Sequence, residues 1–467
     1  MRLSISALLA TAVTCILALY PSLALSQGTL NQIVDNGPVD KRLNIVILAE
    51  GYNALEADEF DADAADMMDF FLNSTVPFSE YSTYFNVFTI YVASLQSGSD
   101  HPFSGIYRET YFNSTYDSYG IQRLITIPPN DYDPIYSHGE GKVYDLLEAL
   151  IPEYDIILLL VNDSEYGGSG GVMALSSTHP AAPEIVKHEL GHSFGELADE
   201  YEDYTPGYYG YESPNTTAET NRELIKWTNW ILSSTPVPTP ETSEWQNVVG
   251  LFEGACYEPL GWYRPELACE MRNLYNDFCE VCKEQLVISQ YSRLSPIEYY
   301  SPTETTILLA EIDTITLSIQ PMAPTYHDLA VQWYMDGSPI PGENATDYLV
   351  KAAEICGGTH QVTIEVTDTT SRVRTDAENL LRDTHTWTVE CFSNCGDADG
   401  STEIDIDDAV FLISYIFTGG PPPVPIETGD ADCSSAIDID DVVYLISYIF
   451  TGGPQPCDTN GDGTPDC

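Results

Sequence analysis

An internal repeat at the end of the chain is the feature that most constrains how it folds. The segment GDADGSTEIDIDDAVFLISYIFTGGP begins at Gly396, and the closely similar GDADCSSAIDIDDVVYLISYIFTGGP begins at Gly429. In each copy a row of carboxylates comes immediately before an apolar run with helical spacing. Because the arrangement occurs twice, we predict that residues 393–467 form a small α-helical domain built from two copies of one loop-and-helix unit.

The carboxylates of each copy have the spacing of a calcium-binding loop. Calcium takes hard oxygen ligands from the first, third, fifth, seventh and twelfth positions of such a loop, and the seventh contributes its backbone carbonyl. The sequence therefore predicts two calcium sites. Their ligands are Asp397, Asp399, Ser401, Glu403 and Asp408 in the first copy, and Asp430, Asp432, Ser434, Ala436 and Asp441 in the second.

Residues 395–456 resemble a type I dockerin, a module that binds a cohesin domain. The chain departs from the pattern at the sixth loop position, where Thr402 and Ser435 replace Gly, and at the fifth, where Ser replaces a carboxylate. In dockerins the tenth and eleventh positions help to recognise the cohesin, and here both copies have Ile-Asp. The resemblance implies bound calcium and a cohesin-like or cell-surface partner. The alternative is a calcium-stabilised terminal module that has no cohesin.

The charge of the chain excludes several classes of partner. Its 72 Asp and Glu against 17 Lys and Arg give a formal net charge of −55. Such a field repels phosphate, which argues against nucleic acid and against an anionic membrane surface. Intrinsic disorder is also excluded, because 43% of the residues are hydrophobic and 31 are Tyr.

The N-terminus is typical of a signal peptide. An uncharged run covers residues 5–20, Pro21 follows, and small residues precede Gln27. The run is shorter than the roughly 20 residues that a membrane span needs. We predict cleavage after a signal peptide at residues 1–26 and a secreted, extracellular or cell-surface protein without a membrane span in the mature chain. The dockerin-like tail points to a prokaryote.

The cysteines fall into three groups of even size once Cys15 leaves with the signal peptide. The groups are Cys256, Cys269, Cys279 and Cys282, then Cys356 and Cys391, then Cys395, Cys433, Cys457 and Cys467. Even groups in an exported chain favour disulfides within each group. For the CEVC segment at 279–282 we prefer a disulfide to a metal site, because no second CxxC and no nearby His accompany it.

Residues 27–300 alternate predicted strands and helices, which indicates an α/β domain. We predict strands at 43–49, 84–94 and 155–161 and helices at 55–72 and 143–150. A glycine-rich turn at 167–171 precedes a predicted edge strand at 172–177. Pro183 then begins a helix that Gly195 ends.

Residues 301–392 lose the helical period and contain short strand patterns with turn residues between them. The predicted strands are 305–310, 315–319, 329–335, 348–352, 361–367 and 386–390. This spacing predicts an all-β, Ig/PKD-like sandwich with Trp333 in its core and a Cys356–Cys391 bridge.

The segment HELGHSFGELADEY at 188–201 carries the pattern of a catalytic zinc site. Side chains four residues apart share a helix face, so His188 and His192 can bind the same tetrahedral zinc. Glu189 lies beside the first ligand, where its carboxylate can act as general base. Ala198 occupies the place of the third His of a metzincin. We predict Asp199 as the third ligand, with Glu200 as the alternative.

Most of residues 40–300 is similar to a family of secreted zinc metallopeptidases named after an IgA-cleaving endopeptidase, family sixty-four of the peptidase classification. The similarity includes LAEGYNALEADEF at 48–60, the 188–201 segment and CEMRNLYNDFCEVCKE at 269–284. It implies a metzincin-like domain in which His188, His192 and an Asp after the Gly bind zinc and Glu189 is the general base. It also implies that Met271 lies beneath the zinc, whereas spacing alone would make it a core residue.

These patterns predict a zinc metalloendopeptidase that acts on a protein or peptide substrate. Tyr201 is a candidate donor to the oxyanion, and a substrate strand would add to residues 172–177. The alternative is a non-catalytic, calcium-dependent surface-binding protein on a peptidase-like scaffold. Intact His188, Glu189 and His192 favour the enzyme, because binding alone needs no general base.

Overall fold

The chain folds into several sheets with associated helices, an α/β arrangement of more than one domain. The computed structural model describes residues 28–128, 139–202, 209–310, 313–355, 358–392, 394–401, 403–458 and 465. The predicted signal peptide at 1–26 lies outside the described residues, as do Thr402, Cys356 and Cys467. Among the described helices, none combines the length and the hydrophobicity that crossing a bilayer requires.

A six-stranded sheet organises the first part of the chain. Its strands lie in the order β1-β3-β2-β4-β6-β5. The four inner strands, β2, β3, β4 and β6, run parallel, and the outer strands β1 and β5 are antiparallel to their neighbours. The bounds are Thr29–Val34 (β1), Leu43–Glu50 (β2), Phe85–Tyr91 (β3), Ile156–Val161 (β4), Gly168–Ser169 (β5) and Ala174–Ser177 (β6).

The central strands are apolar throughout because both faces of the sheet are covered. Every residue of β2 and β4 is buried. Along β4, Ile156, Leu158 and Leu160 enter one core, and the residues between them enter the core on the opposite face. This alternation follows from the two-residue period of a strand.

In the described part of the chain, the α-helices that flank this sheet are α1 (Ala57–Ser74), α2 (Gly139–Leu150), α3 (Ala182–Ser193) and α4 (Glu280–Tyr291). Apolar side chains of α1, α3 and α4 enter one core, and those of α2 enter the other. A hairpin of β7 (Phe252–Ala255) and β8 (Glu258–Arg264) precedes α4. Pro183 lies in the first turn of α3, and the helix ends shortly before Gly195, as predicted.

The predicted edge strand at 172–177 is wrong in one respect. Strand β6 lies inside the sheet, between β4 and β5, and all four of its residues are buried. The edge is formed by Gly168 and Ser169 of β5, which pair with Ser176 and Leu175. A two-residue strand of Gly and Ser has no apolar pattern, so the sequence did not reveal it.

Two further sheets pack around a separate, third core between residues 297 and 392. One has the order β10-β16-β15-β12-β13, and the other has the order β14-β11-β9. Trp333 is fully buried in this core, as predicted, beside Trp387. The strands are Ile297–Ser301 (β9), Thr306–Ala310 (β10), Thr314–Pro321 (β11), Ala330–Met335 (β12), Ser338–Pro339 (β13), Asp347–Lys351 (β14), Gly358–Thr367 (β15) and Arg382–Phe392 (β16). All six predicted strands are present, and β9 and β13 are additional.

The repeat forms two matching helices, α5 (Ile406–Thr418) and α6 (Ile439–Thr451). They pack together through Ala409, Leu412, Val442 and Leu445. Each begins at an Asp that caps the helix and ends at a Gly in the left-handed conformation. A Cys433–Cys457 disulfide closes the second unit. Cys391 and Cys395 each take part in a further disulfide. The Cys356–Cys391 pairing itself involves a residue outside the described ones and stays a prediction.

Candidate metal centre and active site

Helix α3 brings the two predicted histidine ligands together with Asp199. The Nε2 atoms of His188 and His192 are 3.2 Å apart. Oδ1 of Asp199 lies 3.1 Å from Nε2 of His188 and 3.3 Å from Nε2 of His192. Three potential ligand atoms therefore converge on one point, as the spacing of the segment predicts.

Backbone carbonyls fix the orientation of both imidazoles. Nδ1 of His188 donates to the carbonyl of Glu270 at 3.0 Å, and Nδ1 of His192 donates to that of Leu197 at 2.7 Å. With the proton on Nδ1, Nε2 is the nitrogen whose lone pair can bind a metal. Both rings are thus held in the tautomer that a metal ligand requires.

The separations of these three atoms fit a tetrahedral zinc ion. With zinc–ligand bonds of about 2.0–2.1 Å, two ligand atoms of a tetrahedron lie about 3.3–3.4 Å apart. The observed separations of 3.1, 3.2 and 3.3 Å are close to this value. The donor atoms of His188, His192 and Asp199 therefore fit a zinc ion, which these three residues would hold.

Glu200, the alternative third ligand, is turned away from this point. Its side chain is fully buried and lies against Cys282, with Oε1 at 3.3 Å from the sulfur. Its backbone N–H donates to the carbonyl of Met271 at 2.8 Å. Successive residues thus point to opposite sides of this segment, which leaves Asp199 as the residue placed for zinc.

Glu189 lies beside the ligands, next to the glycine-rich segment that follows β4. A Cβ atom added to Gly170 would come within 3.0 Å of Oε2 of Glu189, a distance that real Cβ atoms do not keep, and 3.5 Å from Cδ2 of His192. Gly170 therefore leaves free the space in front of the carboxylate. The sequence indicated Gly170 merely as part of a flexible turn. The structure shows that a larger residue at this position would collide with Glu189.

Met271 lies under the helix turn that carries the histidines. It is fully buried, and a Cβ atom on Gly191 would come within 3.0 Å of its sulfur. Gly191, which lies between the two histidines, is thus the residue that lets the sulfur approach the backbone of α3. That Met271 lies beneath a zinc ion, as the family resemblance implies, stays a prediction.

A tyrosine that the sequence analysis did not single out contacts Asp199 directly. The hydroxyl of Tyr257 donates to Oδ2 of Asp199. The hydroxyl of Tyr201, the predicted donor to the oxyanion, donates to the hydroxyl of Tyr257 at 3.4 Å. Both also pair through the backbone, where Tyr257 N donates to the carbonyl of Tyr201 at 3.0 Å. Tyr257 is remote in sequence and belongs to no motif, so no sequence signal pointed to it.

The charges of His188, His192 and Asp199 depend strongly on one another. Burial lowers the pKa of His188, but the hydrogen bond and charge of Asp199 prevail and raise it to about 9. Burial also opposes ionisation of Asp199, yet hydrogen bonds from both histidines hold its pKa well below the ordinary value. A proton therefore occupies the site when no metal does, and metal binding must release it.

The ligands open into a cavity of about 500 Å³. Its walls include Glu189, Tyr201, Tyr257 and the Gly168–Gly171 segment. A larger cavity of about 600 Å³ lies between α4 and residues 375–380. Within the described part of the chain, the larger cavity contains none of the clusters of potential metal ligands. The smaller cavity is therefore the candidate active site.

The two loops of the repeat bring their carboxylates together in the same way. Asp397, Asp399 and Asp408 form one cluster, and Asp430, Asp432 and Asp441 form the other. In each loop the Ser N–H at the fifth position donates to the first two carboxylates, at 2.9 and 3.0 Å. The Ser hydroxyl donates to the carbonyl of the seventh residue, Glu403 or Ala436, at 3.1 Å. All ten predicted ligand residues thus lie around two matching loops.

The sixth loop position is described in the second repeat alone. There Ser435 has a φ of 68°, in the left-handed region that favours Gly. The departure from Gly at this position therefore has a conformational cost, while the carboxylate cluster is still formed.

Two imidazoles and a carboxylate on one point, with a half-buried glutamate beside them and an open cavity in front, define a candidate metal-dependent hydrolase. A family model described as IgA Peptidase M64 matches residues 31–248 and 241–289, which together are more than half of the chain. The chain belongs to this peptidase family.

Other comparisons add little to this assignment. No curated protein matches the chain. A solved structure from Bacteroides thetaiotaomicron, described as a quinonprotein alcohol dehydrogenase-like protein, is 10% identical and has a TM-score of 0.16. The match covers 21% of this chain and 19% of that chain, so this chain spans about a fifth of its length. A similarity of this extent carries no conclusion about fold or function.

Proposed function

We propose that the chain is a secreted zinc-dependent metalloendopeptidase that hydrolyses peptide bonds in proteins. The proposal comprises a signal peptide at 1–26 and a metzincin-like peptidase domain at 27–300. An Ig/PKD-like sandwich at 301–392 and dockerin-like calcium-binding repeats at 393–467 follow. Family membership supports peptide hydrolysis. The observation that most directly supports zinc as the metal is the convergence of His188, His192 and Asp199. Their ligand atoms lie at separations close to those of a tetrahedral zinc site.

Glu189 is the general base of the proposed mechanism. Zinc held by the three ligands would supply a Lewis acid that polarises the scissile carbonyl and acidifies the attacking water. Glu189 takes a proton from that water and returns it to the leaving amine. Burial raises the pKa of Glu189 above its ordinary value. A raised pKa lies nearer to neutral pH, where a carboxylate both accepts and returns a proton readily.

The two tyrosines of the cavity wall have different tasks in this proposal. Tyr257 holds Asp199 in place through its hydroxyl, as second-layer partners of metal ligands do. Tyr201 lies beside it at the cavity and is assigned the contact with the developing oxyanion.

We place the substrate along the short edge strand β5. Gly168 and Ser169 pair on one side with β6, and they line the cavity together with Gly170. An extended peptide that adds to this edge would pass in front of Glu189. The absence of side chains at Gly170 and Gly171 leaves room for its backbone.

The peptidase proposal is tested by comparing Glu189→Gln with wild type on a denatured protein substrate, with zinc measured in both. We expect the variant to keep its zinc and to lose at least about 100-fold in activity, since general-base catalysis contributes that much. Glu184→Gln makes the same chemical change on α3 at a residue that pairs with Lys187 outside the cavity, and it should remain active. Equal activity of wild type and Glu189→Gln would show that the proposal is wrong.

For the repeats we propose two bound calcium ions. The carboxylate clusters of both loops and the matching hydrogen bonds support this, because calcium prefers such oxygen ligands. Chelation of calcium should make residues 395–458 sensitive to a protease that leaves the calcium-loaded tail intact. Unchanged protection after chelation would argue against the calcium sites.

A duplicated apolar stripe supports a protein partner for the tail. On α5 the exposed residues Ile406, Val410, Ile413 and Phe417 share one face, and on α6 the corresponding residues are Ile439, Val443, Ile446 and Phe450. Exposed apolar stripes of this kind are typical of docking faces. Each stripe begins at the tenth loop position, which the dockerin resemblance implicates in cohesin binding. We therefore propose a cohesin-like partner that either repeat can bind.

A further inference from the structure

A second cluster of potential metal ligands lies behind the active site, on the side of the 199–200 segment opposite the cavity. It consists of Cys269, Cys279, Cys282 and Glu200, whose ligand atoms all lie within 4.8 Å of one another. All four side chains are buried, and the three cysteines are free thiols. The predicted disulfides of this group are therefore wrong, because these three cysteines and Cys256 are all free thiols.

The backbone explains why these sulfurs converge. Cys279 is the residue that caps α4, and Cys282 lies in the first turn of the helix, so both sulfurs face the helix start. Cys279 N donates to the sulfur of Cys269 at 3.3 Å, and Cys282 N donates to that of Cys279 at 3.4 Å. Backbone N–H groups at a helix N-terminus stabilise negatively charged sulfur, which is the form that binds a metal.

The separations in the cluster agree with a tetrahedral ion bound to sulfur and oxygen. With zinc–sulfur bonds of about 2.3 Å and zinc–oxygen bonds of about 2.1 Å, tetrahedral ligands lie about 3.8 Å (sulfur to sulfur) and about 3.6 Å (sulfur to oxygen) apart. The sulfurs of Cys269 and Cys282 are 3.7 Å apart. Oε1 of Glu200 lies 3.3 Å from the sulfur of Cys282 and 4.0 Å from that of Cys279.

Glu200 provides independent evidence that a cation belongs here. Its side chain is completely buried, and its Oε2 has no hydrogen-bond partner among the described residues. Asn215 donates to Oε1 at 2.9 Å, which satisfies one oxygen of the carboxylate. Burying a carboxylate among apolar cysteines costs free energy unless the charge has a partner. A bound cation would be such a partner.

We propose that Cys269, Cys279, Cys282 and Glu200 bind a second, structural zinc ion. Three soft thiolates and one carboxylate complete a tetrahedral set from the protein alone, and closed sites of this kind are structural. Zinc binding releases the thiol protons, and the ion offsets the charge of the cluster.

The site would fix the part of the backbone that carries the third catalytic ligand. Glu200 follows Asp199, and its N–H donates to the carbonyl of Met271, two residues beyond Cys269. A zinc ion at Glu200 and Cys269 would therefore hold the Asp199 segment and the Met271 turn against the start of α4. This second zinc ion would position the active-site residues and would not take part in the reaction.

The test is the zinc content of the full-length protein and its variants, after dialysis against zinc-free buffer that contains calcium. We expect two zinc ions per chain in wild type and one in Cys279→Ser or Glu200→Gln. Cys256 is a matched control, because it is another buried free thiol but lies outside the cluster and hydrogen-bonds Thr216. Cys256→Ser should keep both ions. Equal zinc in wild type, Cys279→Ser and Glu200→Gln would overturn the proposal.

A second measurement keeps the proposal testable if the cluster variants fail to fold. Cobalt-loaded wild type should show a thiolate-to-cobalt charge-transfer band, and His192→Ala, which lacks the catalytic site, should keep it. Absence of the band in both proteins would overturn the proposal. Thiol titration of unfolded, chelator-treated wild type should find two more thiols than a Cys269–Cys282 disulfide would leave, and a lower count would also overturn it.

The same variants separate this proposal from the peptidase function. If His192→Ala loses no zinc while Cys279→Ser loses one, the catalytic zinc is refuted and the structural zinc stands. If His192→Ala loses one ion and Cys279→Ser loses none, the structural zinc is refuted and the catalytic zinc stands.

Discussion

The close packing of Gly191 on Met271 predicts what a single methyl group will do beneath the active site. In Gly191→Ala the new Cβ would come within 3.0 Å of the Met271 sulfur and 3.2 Å from Cε1 of Phe278. Both neighbours are buried, so neither can move away freely. Overpacking of this kind costs about 1–3 kcal/mol. A loss of about 2 kcal/mol would lower the thermal midpoint of a domain of this size by roughly 4–8 °C.

A double-mutant cycle tests whether Met271 is the cause. Met271→Ala alone should cost about 2–5 kcal/mol, since it leaves a cavity. In the double variant the methyl group introduced at position 191 occupies that cavity, so we expect the two effects to fall short of additivity by about 1–2 kcal/mol. The assay is thermal unfolding with zinc and calcium saturating, together with the zinc affinity of each variant. Strict additivity, or an unchanged midpoint in Gly191→Ala, would refute the packing argument.

Three further predictions follow from the site and the tail. Gly170→Ala should keep its zinc and lose about 100-fold in kcat/KM, because the new Cβ collides with Glu189, and misplacement of a catalytic group by about 1 Å has an effect of that size. Tyr257→Phe should weaken zinc binding about 10-fold in competition with a chelator, because Asp199 loses its hydroxyl partner. Burial raises the pKa of Asp408 to about 7 and that of Asp441 to about 6 in the calcium-free tail. Protons then compete with calcium, so calorimetry should show affinity falling as the pH drops below about 7. Without calcium the folded tail retains protons that the unfolded chain releases from about pH 4, so its stability should fall as the pH rises from about 4 to 7.

The helix that carries His188 and His192 was predictable because its signals are local. Pro183 near the start, the four-residue spacing of the histidines and Gly195 after the end all lie within one short segment. The carboxylate clusters of the two repeat loops were predictable for the same reason, and their duplication argued against chance. Strands β2 and β4 could be predicted because burial on both faces makes them continuously apolar.

What the sequence did not show depends on contacts between distant segments. Tyr257 reaches Asp199 because the β7–β8 turn folds back on the 199–201 segment, and no local pattern indicates such a return. The cysteine cluster was missed because counting cysteines by group favours pairs, whereas the fold brings three of them to Glu200. The choice between Asp199 and Glu200 likewise depended on the direction of each side chain.

The central claim is that zinc binds between His188, His192 and Asp199, and anomalous diffraction at the zinc absorption edge tests it most directly. We predict an anomalous peak about 2.0–2.2 Å from Nε2 of both histidines and from a carboxylate oxygen of Asp199. Crystals of active, zinc-loaded protein with no peak at this position would contradict the account.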